Sequence, residues 1–280
     1  MKRIVFEDIS TFIVKYIFHL RFKVALLSRK SRIFNKILTK LLFEDDKTYF
    51  IPNNNNITHL ETIEVNKTID KTKNIVFPSD IIKEIIRNAN YIVIMNSCLC
   101  RTSANCNDYP QNLGCIFLGR ATKKISRKYC REVTPDEAIN HIDKCNNAGL
   151  IHIMGRNKLD VRWMNVGPSD ELLTICNCCP CCCLWRVLPN FSDSIQGNFH
   201  KLPGISVYCD DNQCILCKKC VDICFVEAIT IDDNKIKINS NCMGCSQCVS
   251  NCPVNAMKIN YDDNMNYTID DINNIVNIEK

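Results

Sequence analysis

The chain has 280 residues, 46% of them hydrophobic, which is enough for one large domain or two small ones with a buried core. Its 21 cysteines are odd in number and spread over too long a chain for a secreted disulfide scaffold, and no secretory signal is expected ahead of them, so reduced, metal-holding thiols in a cytoplasmic protein are the reading. The net charge of +5 is uneven: residues 1–40 carry ten Lys/Arg against Glu7 and Asp8, the other 240 sum to −3, and no nucleic-acid partner is expected for a chain whose basic character sits at one end.

Residues 1–43 read as a basic amphipathic helical segment. Ile13, Tyr16, Ile17, Leu20, Val24 and Leu27 fall on one stripe, and Lys15, His19 and Lys23 on another. Packing on the protein itself is the plainer reading, and peripheral contact with a membrane surface or an acidic partner is the other. No uncharged apolar run approaches the roughly 20 residues a spanning helix needs. Residues 44–74, with PNNNN at 52–56, are expected as a linker or loop. A helix follows, N-capped by Ser79 and carrying Ile81, Ile82, Ile85 and Ile86, then a buried strand YIVIM at 91–95. Thr134, Pro135, Glu137 and Gly149 mark the start and stop of another helix.

Directly after that strand come Cys98, Cys100, Cys106 and Cys115, four thiols, the number one cubane or one tetrahedral zinc requires. A [4Fe-4S] cluster is the preferred reading, with zinc or redox-active thiols as alternatives. The string TICNCCPCCCLWR, 174–186, adds Cys176, Cys178, Cys179, Cys181, Cys182 and Cys183. Six thiols in eight positions cannot all pair as disulfides. They suit an additional cluster, ligands shared with the 98–115 group, or a zinc or thiol–disulfide role. Neighbouring side chains point apart unless the backbone turns, and Pro180 is where such a turn can begin. Cys130 and Cys145 lack close cysteine neighbours and read as ordinary thiols, His152 as a packed residue before a ligand, and Arg101 as a possible donor to cluster sulfur.

NQCILCKKCVDICFVEAI (212–229) and NCMGCSQCVSNCPVNAM (241–257) align at a constant offset of 28, each reading C-x2-C-x2-C-x3-C. Residues 205–261 therefore resemble a bacterial dicluster ferredoxin, in which the fourth cysteine of each half serves the other cluster. That resemblance implies two [4Fe-4S] clusters, one on Cys214, Cys217, Cys220 and Cys252, the other on Cys242, Cys245, Cys248 and Cys224. ISVY, AITI, KIKI and AMKI would be its strands. Two positions depart from the family pattern: Phe225 stands where proline is usual, and Leu216 where the second half has Gly244.

The stretch from about 76 to 260 also resembles a group of anaerobe proteins described only as iron–sulfur-binding ferredoxin-domain proteins. It shares their C-x-C-R motif (Cys98 to Arg101), GCIFLG (114–119), the helix end running from Glu137 to His152, and the ICNCC-x-CCC string (175–183). The resemblance implies cluster binding and names no substrate. The fold expected is α+β: a C-terminal ferredoxin-like dicluster domain (205–261) behind a cysteine-rich domain of mixed helix and strand (75–204) with one or two further iron–sulfur clusters, and a polar acidic tail (262–280). There is no dinucleotide, phosphate-loop, zinc-protease or serine-hydrolase motif. The function expected is single-electron transfer to a redox partner protein, more a carrier than a stand-alone enzyme. The alternatives are an oxidoreductase subunit with a substrate-binding cluster in the 98–183 region, motivated by thirteen cysteines beyond the eight of the repeats, and a zinc-stabilised binding module.

Overall fold

The computed structural model describes residues 15–53 and 78–261; part of the expected linker and the whole acidic tail lie outside them. The elements in chain order are α1 (Arg21–Lys30), α2 (Arg32–Leu42), β1 (Lys47–Ile51), α3 (Pro78–Asn88), β2 (Ile92–Met95), α4 (Leu99–Ser103), β3 (Ile116–Leu118), β4 (Cys130–Glu132), α5 (Pro135–Asn147), β5 (Ile151–Arg156), α6 (Lys158–Met164) and β6 (Leu173–Cys178). A 3-10 turn (Leu184–Asn190), α7 (Asp193–Gln196), β7 (Phe199–Lys201), β8 (Ile205–Cys209), α8 (Lys219–Ile223), β9 (Ile229–Asp232), β10 (Lys235–Ile238), α9 (Gln247–Ser250) and β11 (Met257–Tyr261) complete them. The class is α+β.

Seven strands form one sheet in the order β4-β2-β3-β6-β5-β1-β7, antiparallel except for the β1–β7 pair. The alternation of side chains along each strand sorts its two faces. Ile51, Ile92, Ile94, Ile116, Leu118, Met154 and Ile175 meet the isoleucines of α3 together with Ala138 and Ile142 of α5. The intervening residues Phe50, Val93, Met95, Phe117 and Ile153 point to the opposite face, against Trp163, Met164, Trp185 and the N-terminal helices. The capping box of α5 is complete, with the Thr134 hydroxyl accepting from Glu137 N and the Glu137 carboxylate from Thr134 N at 2.8 Å.

Three expectations change. Residues 47–51, assigned to a linker, are strand β1, inserted between β5 and β7 with Phe50 and Ile51 fully buried. Ser79, expected ahead of α3 as its N-cap, falls within the helix range Pro78–Asn88. The N-terminal segment is not one helix: Ser31 is extended, ends α1 and caps α2 by accepting from Phe34 N. The face α1 buries is Ala25 and Ser28, with Phe18 buried just ahead of it, while Tyr16, Ile17, Leu20 and Leu27 remain exposed. Small residues let α1 approach the 184–190 turn closely, and the Ser28 hydroxyl accepts from Ser192 N. Ile33, Ile37 and Leu41 form an exposed stripe on α2.

The repeat region folds as two antiparallel pairs, β8 with β11 and β9 with β10. Asp233 and Asn234, both at positive φ, make the tight turn of the second pair. No helix among the described residues is long and apolar enough to cross a membrane.

Candidate metal centres

The repeats adopt the same local backbone twice. Leu216 and Lys218 are left-handed, as are Gly244 and Ser246 at the offset of 28. Alternating hand of this kind turns successive amides inward and makes a concavity suited to anionic sulfur. The fourth cysteine of each half accepts an equivalent amide hydrogen bond, Ala228 N to Cys224 Sγ at 3.3 Å and Ala256 N to Cys252 Sγ at 3.2 Å. Gly244 is needed for space as well as for φ, because a Cβ there would lie 2.7 Å from Ile205. Leu216 accepts the same φ where its side chain is half-exposed.

The structure brings the eight thiols together in crossed fashion. Cys214, Cys217, Cys220 and Cys252 line one cavity, with Cys209 of β8 beside Cys214. Cys224 neighbours Cys242, Cys245 and Cys248. The quartets differ in exposure: Cys217 and Ile215 face solvent, whereas burial pushes the Cys245 thiol up to about 12. The second quartet faces the sheet. Phe225 is buried with its ring centroid 5.6 Å from that of Phe50, and Trp185 and Phe199 continue the contact at 4.7 Å. Gln247 donates to Gly149 O, and the Ser246 hydroxyl accepts from Asn53 N. Crossed thiols, inward amides and matched N–H···S bonds fit two four-thiolate cubanes.

The ten upstream cysteines divide differently from their grouping along the chain. Pairing of β3 with β6 sets Ile116 opposite Ile175, so Cys115 and Cys176 meet on the face away from α3 and α5, with their sulfurs 3.6 Å apart. Cys178, two residues on, shares that face. With Cys98, Cys100, Cys179 and Cys183 they line a cavity of about 400 Å³, faced on the other side by Phe18, Met95, Phe117, Leu159, Trp163 and Trp185. Hydrogen bonds from Cys115 and Cys178 hold the Cys176 thiol well below its ordinary range, and one from Cys100 lowers Cys98 likewise. Cys106 leaves its sequence neighbours and joins Cys179, Cys181 and Cys182, all four sulfurs lying within 4.8 Å of one another. The turn after Pro180 makes this possible, with Cys182 N donating to Cys179 Sγ. Cysteines of both sequence groups thus stand side by side around the cavity and in the tight set of four.

Arg101 stands between the two sets. It is fully buried and donates to the carbonyls of Asn177, at 2.8 Å, and Leu113, while its Nε has no hydrogen-bond partner. Burial opposes its charge, but Cys98, Cys179 and Cys115 raise its affinity for the proton above the usual guanidinium range. Signals missed in the sequence include Arg21, which lines the cavity mouth with its guanidinium 4.0 Å from the Phe18 ring, and Asp160, fixed by Trp163 Nε1 and Thr174 Oγ1. Cys145 is fully buried, its thiol pushed up to about 12 by burial, and Cys130 is buried beside Arg127.

His152 is packed. Its Nδ1 donates to Asn177 Oδ1, because the Asn177 amide nitrogen is already committed to Gly114 O. A neutral ring then needs the amide nitrogen of Asn146 on the 2.9 Å contact at Nε2. Burial pushes its pKa down to about 4; Asn177, His141 and Asp143 add smaller effects. Below about pH 6.5 the unfolded chain takes up a proton that the folded chain refuses, so this group's share of stability falls as pH falls towards 4. Asp46 and Asp160, raised to about 7 by burial, act with the opposite sign, so a difference measurement is needed. The stability advantage of the parent over His152→Asn is expected to shrink by about 2 kcal/mol between pH 7 and 5 in urea unfolding. A gap independent of pH would contradict the neutral, buried ring.

No curated protein and no solved structure matches the chain. Residues 213–256 match the family model described as a 4Fe-4S dicluster domain, which supports an iron–sulfur, ferredoxin-type domain in the C-terminal part of the chain.

Proposed function

We propose that this protein is an iron–sulfur electron-transfer protein. Its ferredoxin-type domain exchanges single electrons with an outside redox partner protein and with a further iron–sulfur centre held by four of the cavity thiols, drawn from Cys98, Cys100, Cys115, Cys176, Cys178 and Cys183. The observation that carries the reading is the polarity of the two quartets. One reaches solvent at Cys217, and the other is pressed by Phe225, Gln247 and Ser246 onto the domain that carries the cavity. A [4Fe-4S] cluster supplies reversible one-electron chemistry when bound, at potentials set by charge, hydrogen bonds to sulfur and exposure. The chain's own part is to place the thiolates, aim amides at sulfur, and keep Arg101 as a buried positive charge near them.

A second reading places substrate chemistry in the cavity, favoured by its apolar wall opposite the thiols. In that case a small acceptor would perturb the electron paramagnetic resonance spectrum of the reduced protein and be turned over by it.

Iron and acid-labile sulfide per chain, measured on anaerobically isolated full-length protein, test the main proposal. About twelve irons, at four per cubane, are expected: eight from the repeats and four from the cavity. About eight would leave the cavity without a cluster, and negligible iron would remove the electron-transfer reading altogether.

A further inference from the structure

The two upstream thiol sets are built to different scales. The cavity cysteines surround a space, whereas Cys106, Cys181, Cys182 and Cys179, the last at the cavity's edge, converge on a point. Two of the edges between these four sulfurs, Cys106–Cys181 and Cys181–Cys179, measure 3.6 Å. A tetrahedral zinc with Zn–S bonds of about 2.3 Å requires sulfur–sulfur edges of about 3.8 Å. A cubane requires wider spacing, because its thiolates attach outside the corners of an inorganic core. The chain contains its own control. Among the described residues neither repeat quartet, nor any other set of three or more possible ligands, draws together within the same 4.8 Å.

We propose that Cys106, Cys179, Cys181 and Cys182 bind a single zinc ion in a closed, tetrahedral, structural site. This goes beyond the electron-transfer reading and does not depend on it. Three of the four thiols are buried and the fourth is half-buried, as a closed site without a water position demands. Four soft sulfurs in a tetrahedron select zinc or iron, and divalent zinc binds such donors more tightly than ferrous iron. Binding forms four Zn–S bonds and releases the protons of whichever thiols are not already ionised. The buried Arg101 guanidinium, which interacts electrostatically with Cys179, would offset part of the negative charge of four thiolates on a divalent ion. The ion would tie the end of α4 to the turn after β6. Those segments also carry Cys98, Cys100, Cys178 and Cys183, so the site would hold two walls of the cavity at a fixed distance.

Metal analysis and zinc-edge X-ray absorption on the anaerobically isolated full-length protein decide the matter. The expected result is about one zinc per chain with four sulfur neighbours near 2.3 Å. The substitutions Cys106→Ser and Cys181→Ser, made separately, are expected to lose that zinc and leave iron and sulfide at parental values. Loss of about four irons together with sulfide would show a cubane and overturn the assignment. So would loss of one iron without sulfide, or no change in metal content. Should neither variant fold, the parent protein still answers, since absence of zinc there is equally decisive. Iron without zinc sinks this proposal alone, and zinc without iron sinks the electron-transfer reading alone.

Discussion

Arg101→Met is expected to destabilise the folded protein by about 3–5 kcal/mol, the usual cost of removing one member of a buried charged pair. The guanidinium is 0% exposed and supplies donors to two buried carbonyls, Asn177 O and Leu113 O. Methionine fills much of the volume but donates nothing. Both carbonyls are then left unsatisfied, at about 1–3 kcal/mol each, and the thiolates of Cys98, Cys115 and Cys179 lose the positive charge nearest them. Arg101→Lys should fall between parent and Met, since an ammonium keeps the charge but cannot reproduce a planar fork spanning two carbonyls. Anaerobic urea unfolding followed by circular dichroism, with metal content measured on the same samples, reads both effects. A Met variant within about 1 kcal/mol of the parent and carrying full metal would show that the thiols need no buried cation.

What the sequence makes legible is what is local in the chain. The spacing of the repeats, the strand at β2, the capping box of α5 and the turn at Pro180 each rest on residues a few positions apart, and each is found in the structure. The partition of the ten upstream cysteines is not local. It depends on β3 pairing with β6 so that Ile116 meets Ile175, sixty residues away, and a slip of one residue would send Cys115 and Cys176 to the opposite face. Cys106 parts from Cys100 for the same reason, because its partners arrive on a separate turn. Strand β1 was hidden by the polar, asparagine-rich text that follows it. The N-terminal helix misleads in another way, burying a face of small residues that hydrophobic periodicity does not mark. Phe225 is the reverse case. It is visible in the sequence as a departure from the dicluster pattern, and its purpose appears only when Phe50 is seen packed against it.

Cys245→Ser is expected to remove about four irons from the chain and to cut the thiol-lined cavity off from protein-sized electron donors. Cys245 belongs to the inner quartet, and its neighbours Ser246 and Gln247 are tied to Asn53 and Gly149 of the sheet domain. A large donor can approach the outer quartet at exposed Cys217 and Ile215. The route from there to the cavity runs past the inner thiols and the aromatic contacts of Phe225, Phe50, Phe199 and Trp185. Small reductants are the control, because they diffuse to any accessible site and need no relay. Stopped-flow reduction of the variant should therefore be close to parental with dithionite for whatever centre the cavity holds, and strongly slowed with a reduced carrier protein. Cys217→Ser, in the outer quartet where the donor approaches, should likewise remove about four irons and slow reduction by the carrier protein. If the Cys245→Ser protein accepts electrons into the cavity from a carrier protein at the parental rate, the ferredoxin-type domain is not the path, and the polarity of its two quartets has another meaning.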